Sequence, residues 1–109
     1  MPPLEDKLQL VPLSPLPHQQ FSIVLDGQNC VITLRQMGDG LYASGTIDQV
    51  DVFSEQLCNN RIPVPVFKTN DFSGHLVFVD TLGSEHPRYD ELGSRFKLYY
   101  LSEGEEWQA

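Results

Sequence analysis

The sequence predicts an all-β domain, mainly antiparallel: a small six- to seven-stranded barrel or sandwich with an extended, Pro-rich N-terminal arm. Three observations predict it. Between Phe21 and Leu101 apolar residues recur with period two, the spacing that turns one face of a strand toward a core. Tight-turn residues, Asp26-Gly27 and Gly38-Asp39-Gly40, separate the first of these runs. No stretch carries the three-and-four spacing of a convincing amphipathic helix.

The elements follow in order. Residues 1–20 carry prolines at 2, 3, 12, 15 and 17; each lacks an amide donor and pushes its predecessor away from helix. This is an arm, and Leu8, Leu10, Val11, Leu13 and Leu16 make it more apolar than a solvated linker, so it is expected to lie extended across its own domain or a neighbour's surface. From Phe21 the period is two. Phe21, Ile23 and Leu25 precede Asp26-Gly27, and Cys30, Ile32 and Leu34 follow it, a strong signal for a hairpin with a type I′ turn. The Gly38-Asp39-Gly40 turn leads into a third strand, with Leu41, Ala43, Gly45 and Ile47 on one face. A polar step at Asp48-Gln49 returns the chain into a fourth strand from Val50, with a helical turn as the alternative for its end, Ser54 to Cys58.

Residues 59–74 read as irregular, because Pro63 and Pro65 are confined to an edge or a loop. In "HLVFVDT" Leu76 and Phe78 face one way and Val77 and Val79 the other, so this strand is expected to be buried on both sides. Residues 82–95 hold Gly83, Pro87 and Gly93 and form a loop with room for one helical turn near Arg88 to Leu92. The last strand alternates Phe96, Leu98 and Tyr100 against Lys97, Tyr99 and Leu101. Three parts result: an arm over 1–20, a β domain over 21–102 and an acidic tail over 103–109.

At 109 residues the chain supports one domain and one core. Its 7 basic against 15 acidic residues, a net charge of −8, exclude the clustered cations that phosphate contacts require, so nucleic acid is not an expected partner. No apolar run approaches the roughly 20 residues of a membrane span, and the first residues lack the basic start and apolar centre of a signal peptide. The expected setting is a cytoplasm without membrane contact, which favours Cys30 and Cys58 as free thiols in or near strands over the alternative, a Cys30–Cys58 disulfide.

Catalytic templates find little to match. The histidines are His18 in the arm, His75 at the start of a strand and His86 in the long loop. No nucleophile and base share a motif, and His75, Asp80, His86 and Asp90 have no ligand spacing. Neither a phosphate-binding loop nor a dinucleotide fingerprint is present. The sequence therefore implies no enzyme, no metal and no cofactor. It offers interaction surface instead. Apolar and arginine residues in segments outside the core pattern are the interface candidates: Leu10, Val11 and Leu13 in the arm; Arg61, Ile62, Val64, Val66 and Phe67 in the Pro-rich segment; Arg88, Tyr89 and Leu92 in the long loop; Trp107 in the tail. Arg95 is a further cation for an acidic partner.

The "LDGQ" turn of "FSIVLDGQNCVITLRQM", the "VDT-G" step and the "LG-RF-L-YL" ending, spread over Phe21 to Leu101, resemble the small baseplate plug family of contractile-tailed, myovirus-type bacteriophages. The resemblance implies a virion structural protein without enzymatic role. It would pack against other baseplate, hub and tail-tube proteins near the end of the tube, in three or six copies, after assembly in the host bacterial cytoplasm. From the residues alone the alternative is a free-standing β-barrel binding module for a peptide or carbohydrate, with the Pro-rich segment and the 82–95 loop as its mouth.

Overall fold

A computed structural model describes residues 8–65 and 74–101. The strands are β1 (Leu8–Val11), β2 (His18–Leu25), β3 (Gln28–Met37), β4 (Gly40–Ile47), β5 (Val50–Leu57), β6 (His75–Asp80) and β7 (Phe96–Leu101). They form two antiparallel sheets, ordered β1-β7-β6 and β2-β3-β4-β5. The architecture is sandwich-like and not a closed barrel, which decides between the two forms the sequence left open.

The four-stranded sheet is a meander held in register by two-residue turns. Asp26 and Gly27 both have positive φ, 51° and 75°, and Leu25 pairs with Gln28, the geometry a type I′ turn requires. Asp48 and Gln49 repeat it at 49° and 70° between paired Ile47 and Val50. Here the second position lacks glycine, and a side chain in the left-handed region costs about 1–2 kcal/mol. Gln49→Gly should therefore stabilise the fold by about 0.5–1 kcal/mol, read as a higher urea midpoint with an unchanged slope. An unchanged or lower midpoint would mean that the Gln49 side chain contributes as much as its backbone costs.

β5 is one strand to Leu57, so the helical alternative for Ser54 to Cys58 does not occur. A bulge accommodates the mismatch with β4: Glu55 turns to positive φ, its amide donates to Ser44 Oγ at 2.8 Å, and its carboxylate meets Arg35 at 2.7 Å. Part of the expected arm also belongs to the sheets. Leu8–Val11 pairs with Leu98–Leu101 of β7, Val11 is buried in the core and Leu13 packs against it. β2 starts at His18, ahead of the expected Phe21, because Gln19 pairs with Leu34 and its side chain holds the turn by donating to the Ser14 carbonyl at 2.6 Å.

The core lies between the sheets. Cys30, Ile32 and Leu34 of β3, Leu41, Ala43 and Ile47 of β4, Leu76 and Phe78 of β6 and Phe96, Leu98 and Tyr100 of β7 build it, each set following the period-two pattern. Val77 is buried too, so β6 is covered on both faces there. Cys30 and Cys58 are free and buried; burial pushes the Cys58 thiol up to about 12, which keeps it protonated and unreactive at neutral pH. A polar bond links the sheets: the Tyr100 hydroxyl donates to Asp26 Oδ2 at 2.8 Å, tying β7 to the β2–β3 turn. Tyr100→Phe should cost about 1–2 kcal/mol, measured by chemical denaturation; an unchanged midpoint would show that the turn holds without this bond.

Candidate protein-protein interface

The surface least explained by the core is built around one buried acid. Asp80 ends β6 and is buried, which demands compensation for its charge. Arg95 supplies it through a two-point contact, Nε to Oδ1 and Nη2 to Oδ2, both at 2.8 Å. The amides of Leu82 and Glu85 donate to the same two oxygens at 2.9 Å, so four donors converge on one carboxylate. Arg95, leading them, holds the Asp80 carboxyl far below the usual carboxylate range, while Asp80 and Glu85 raise the guanidinium. Glu85 accepts from Arg95 at 2.6 Å and from Arg88 at 2.9 Å, and both guanidinium groups lie over the Phe96 ring, at 5.1 and 5.3 Å.

This clamp fixes the 81–95 loop, whose expected helical turn is a single 3-10 turn, Tyr89–Glu91. The neighbouring Pro-rich segment is knitted to it. Asn60 accepts from the Asp80 amide at 2.8 Å, and its own amide donates to His86 Nδ1 at 3.0 Å. The Arg61 amide donates to the Phe78 carbonyl, and Val64 exchanges two backbone bonds with Leu76. The two loops expected to frame a ligand mouth thus bond to each other.

The structure sorts the interface candidates. Leu10, Ile62 and Tyr89 are exposed, at 50, 45 and 37%. Val11, Val64 and Leu92 lie in the core, buried within this chain rather than exposed on the segments that suggested them. Leu13 packs partly against the core. Arg88 is engaged by Glu85 and Glu91 at 2.9 Å each, and Arg95 by Asp80, so these charges are met within the chain. Arg61 holds positive φ. Val66, Phe67, Trp107 and the acidic tail lie outside the described residues. Sequence reasoning missed Leu82, which is 76% exposed on the clamped loop; an apolar residue beside Gly83 at a strand end was the available signal.

Three open grooves accompany these residues. Met37, Tyr42, Leu57 and Pro87 line one of about 320 Å³ on one side of the β3–β4 turn; Gln36, Arg88 and Tyr89 line one of about 380 Å³ on the other. Leu10 to Leu13 and Gly93 line a third of about 200 Å³. Among the described residues no three His, Cys, Asp or Glu side chains gather as a metal site. His75 instead bonds the Pro65 carbonyl at 2.8 Å, and no described helix is long and apolar enough to cross a membrane.

Two facing sheets and a clamped loop that leaves Leu82 exposed define an all-β, sandwich-like domain. Residues 8–103 match the family described as the cyanophage baseplate Pam3 plug gp18, and the chain belongs to this family of phage baseplate plug proteins. No curated protein matches it. Membership makes it a structural component of the phage tail baseplate, associated with other baseplate components, as the resemblance in the sequence implied.

Proposed function

We propose that this chain plugs the centre of the baseplate, packing against hub and tail-tube proteins at the end of the tube, in three or six copies around the tail axis. It has no enzymatic role and assembles in the host bacterial cytoplasm. The observation that carries this reading is the family match over 8–103, supported by the Leu82 side chain held outward on a clamped loop. A rigid loop loses little entropy on docking, so an exposed leucine upon it gives more affinity than the same residue on a mobile one. A baseplate must hold an energised sheath until it meets a host, and many modest contacts that shift together make such a switch.

The test is mass in solution. The purified chain should be monomeric alone and enter a stoichiometric complex when mixed with purified hub, tube and baseplate proteins of the same phage. Leu82→Ser with Tyr89→Ala should weaken that complex about 10-fold or more while leaving the melting temperature of the isolated chain nearly unchanged, since both side chains are exposed. A chain that ignores every tail protein would overturn the plug reading and return attention to a ligand-binding module.

A further inference from the structure

Edge strands present unpaired amides and carbonyls, and proteins that act alone blunt them with charge, proline, bulges or short length. Three of the four edges here are treated in that way. The β6 edge is covered by the backbone of Arg61 and Val64, β5 is bulged at Glu55, and β1 runs into Pro12. β2 differs. It runs eight residues, His18–Leu25, without a proline, a bulge or an Asp, Glu, Lys or Arg, and among the described residues it pairs only with β3.

The turn fixes which groups it offers. With Leu25 and Gln28 flanking a two-residue turn, odd-numbered β2 residues bond β3, and Gln20, Ser22 and Val24 point their amides and carbonyls outward. Their side chains are exposed, Val24 at 59%. On the inner side Phe21 and Ile23 pack against the core yet stay half-exposed, so the sandwich is thinly covered along this edge.

We infer that the outer edge of β2 docks an extended strand donated by a baseplate neighbour, with alternate apolar residues over Phe21 and Ile23 and a neutral to basic charge. This rests on the plug reading. The charge follows from the chain: a net −8 sets a second copy against it, and Asp26 stands in the turn where β2 passes into β3. A strand carrying Lys or Arg is drawn to that charge; another copy of this chain meets it with like charge. Backbone pairing supplies affinity and the alternate side chains supply selection. A groove of about 220 Å³ beside Val24, Asn29 and Val31 is open to a side chain from the donor's outer face.

The experiment is residue-resolved amide exchange of the full chain, alone and mixed with the purified hub, tail-tube and baseplate proteins of the same phage. In the complex the Gln20, Ser22 and Val24 amides should exchange about 100-fold more slowly, with Ser22→Pro weakening the complex at least 10-fold and Ser22→Thr binding like the native chain. The wild-type exchange pattern decides even where Ser22→Pro fails to fold. A complex that leaves those amides unprotected overturns the inference and spares the plug reading. Protection that grows with the concentration of the chain alone assigns the edge to a second copy and overturns the partner strand. Binding to no tail protein ends both.

Discussion

Asp80→Ala should lower the melting temperature by on the order of 10 °C and release the 81–95 loop. The reason is the number of groups that lose their acceptor at once. Each Asp80 oxygen takes one Arg95 nitrogen and one backbone amide, and removing the acid leaves a partly buried guanidinium and two loop amides unmet. Asp80→Asn separates charge from shape. Its amide group would turn donors toward donors in either orientation, so Asn should do little better than Ala. Arg95→Lys should also fail, because one ammonium cannot reproduce the two-point fork. An Asp80→Asn protein as stable as the native one would sink this account of the loop.

The same acid sets an acid sensitivity. Arg95 and the loop amides depress the Asp80 carboxyl in the folded state, and Arg95 with Arg88 depresses Glu85. A group whose folded pKa is lowered adds stability above its unfolded value, near 4 for a carboxylate, and loses it as pH falls through the folded value. The native chain should therefore lose stability below about pH 4, and the Asp80→Ala chain should lose less over the same window. If the 81–95 loop docks a neighbour as proposed, baseplate binding should fall in parallel with loop order.

The hairpins were legible in the sequence because their causes are local. Asp26-Gly27 specifies its own turn, and the alternation of Cys30, Ile32 and Leu34 names the buried face without reference to other strands. β1 was hidden for the opposite reason. "LQLV" is too short to show a period, and its partner is β7, at the far end of the described chain. The clamp was hidden likewise: Asp80 and Arg95 are 15 residues apart across a loop, and only the fold brings them together. Val11 looked like surface because β1 was hidden, and it is core because β1 pairs with β7. Val64 and Leu92 looked like surface because their segments are irregular, and they are core because that backbone is pinned, Val64 by its bonds to Leu76 and Leu92 beside Phe96. Of the residues the sequence offered for contact, Leu10, Ile62 and Tyr89 are exposed, and the clamp explains why Leu82 is exposed beside them.

Gly74→Ala should cost about 3 kcal/mol, and the size follows from what surrounds the missing Cβ. At Gly74 a methyl would meet the Leu101 carbonyl oxygen, with the Tyr100 hydroxyl at 2.8 Å. Backbone cannot swing aside as a side chain does. To admit the methyl, Gly74 must withdraw from β7, which strains the pairing of His75 with Leu101, or Tyr100 must move, which breaks its bond to Asp26. The first route damages one sheet and the second loosens the link between both. Denaturation of the single variants and of the Gly74→Ala, Tyr100→Phe double variant tells them apart. If Tyr100 is displaced, the Asp26 bond is already lost in Gly74→Ala, and the second substitution adds almost nothing. If the strand withdraws instead, the two costs add. A Gly74→Ala protein of native stability would show that the end of β7 is not held as the pairing requires.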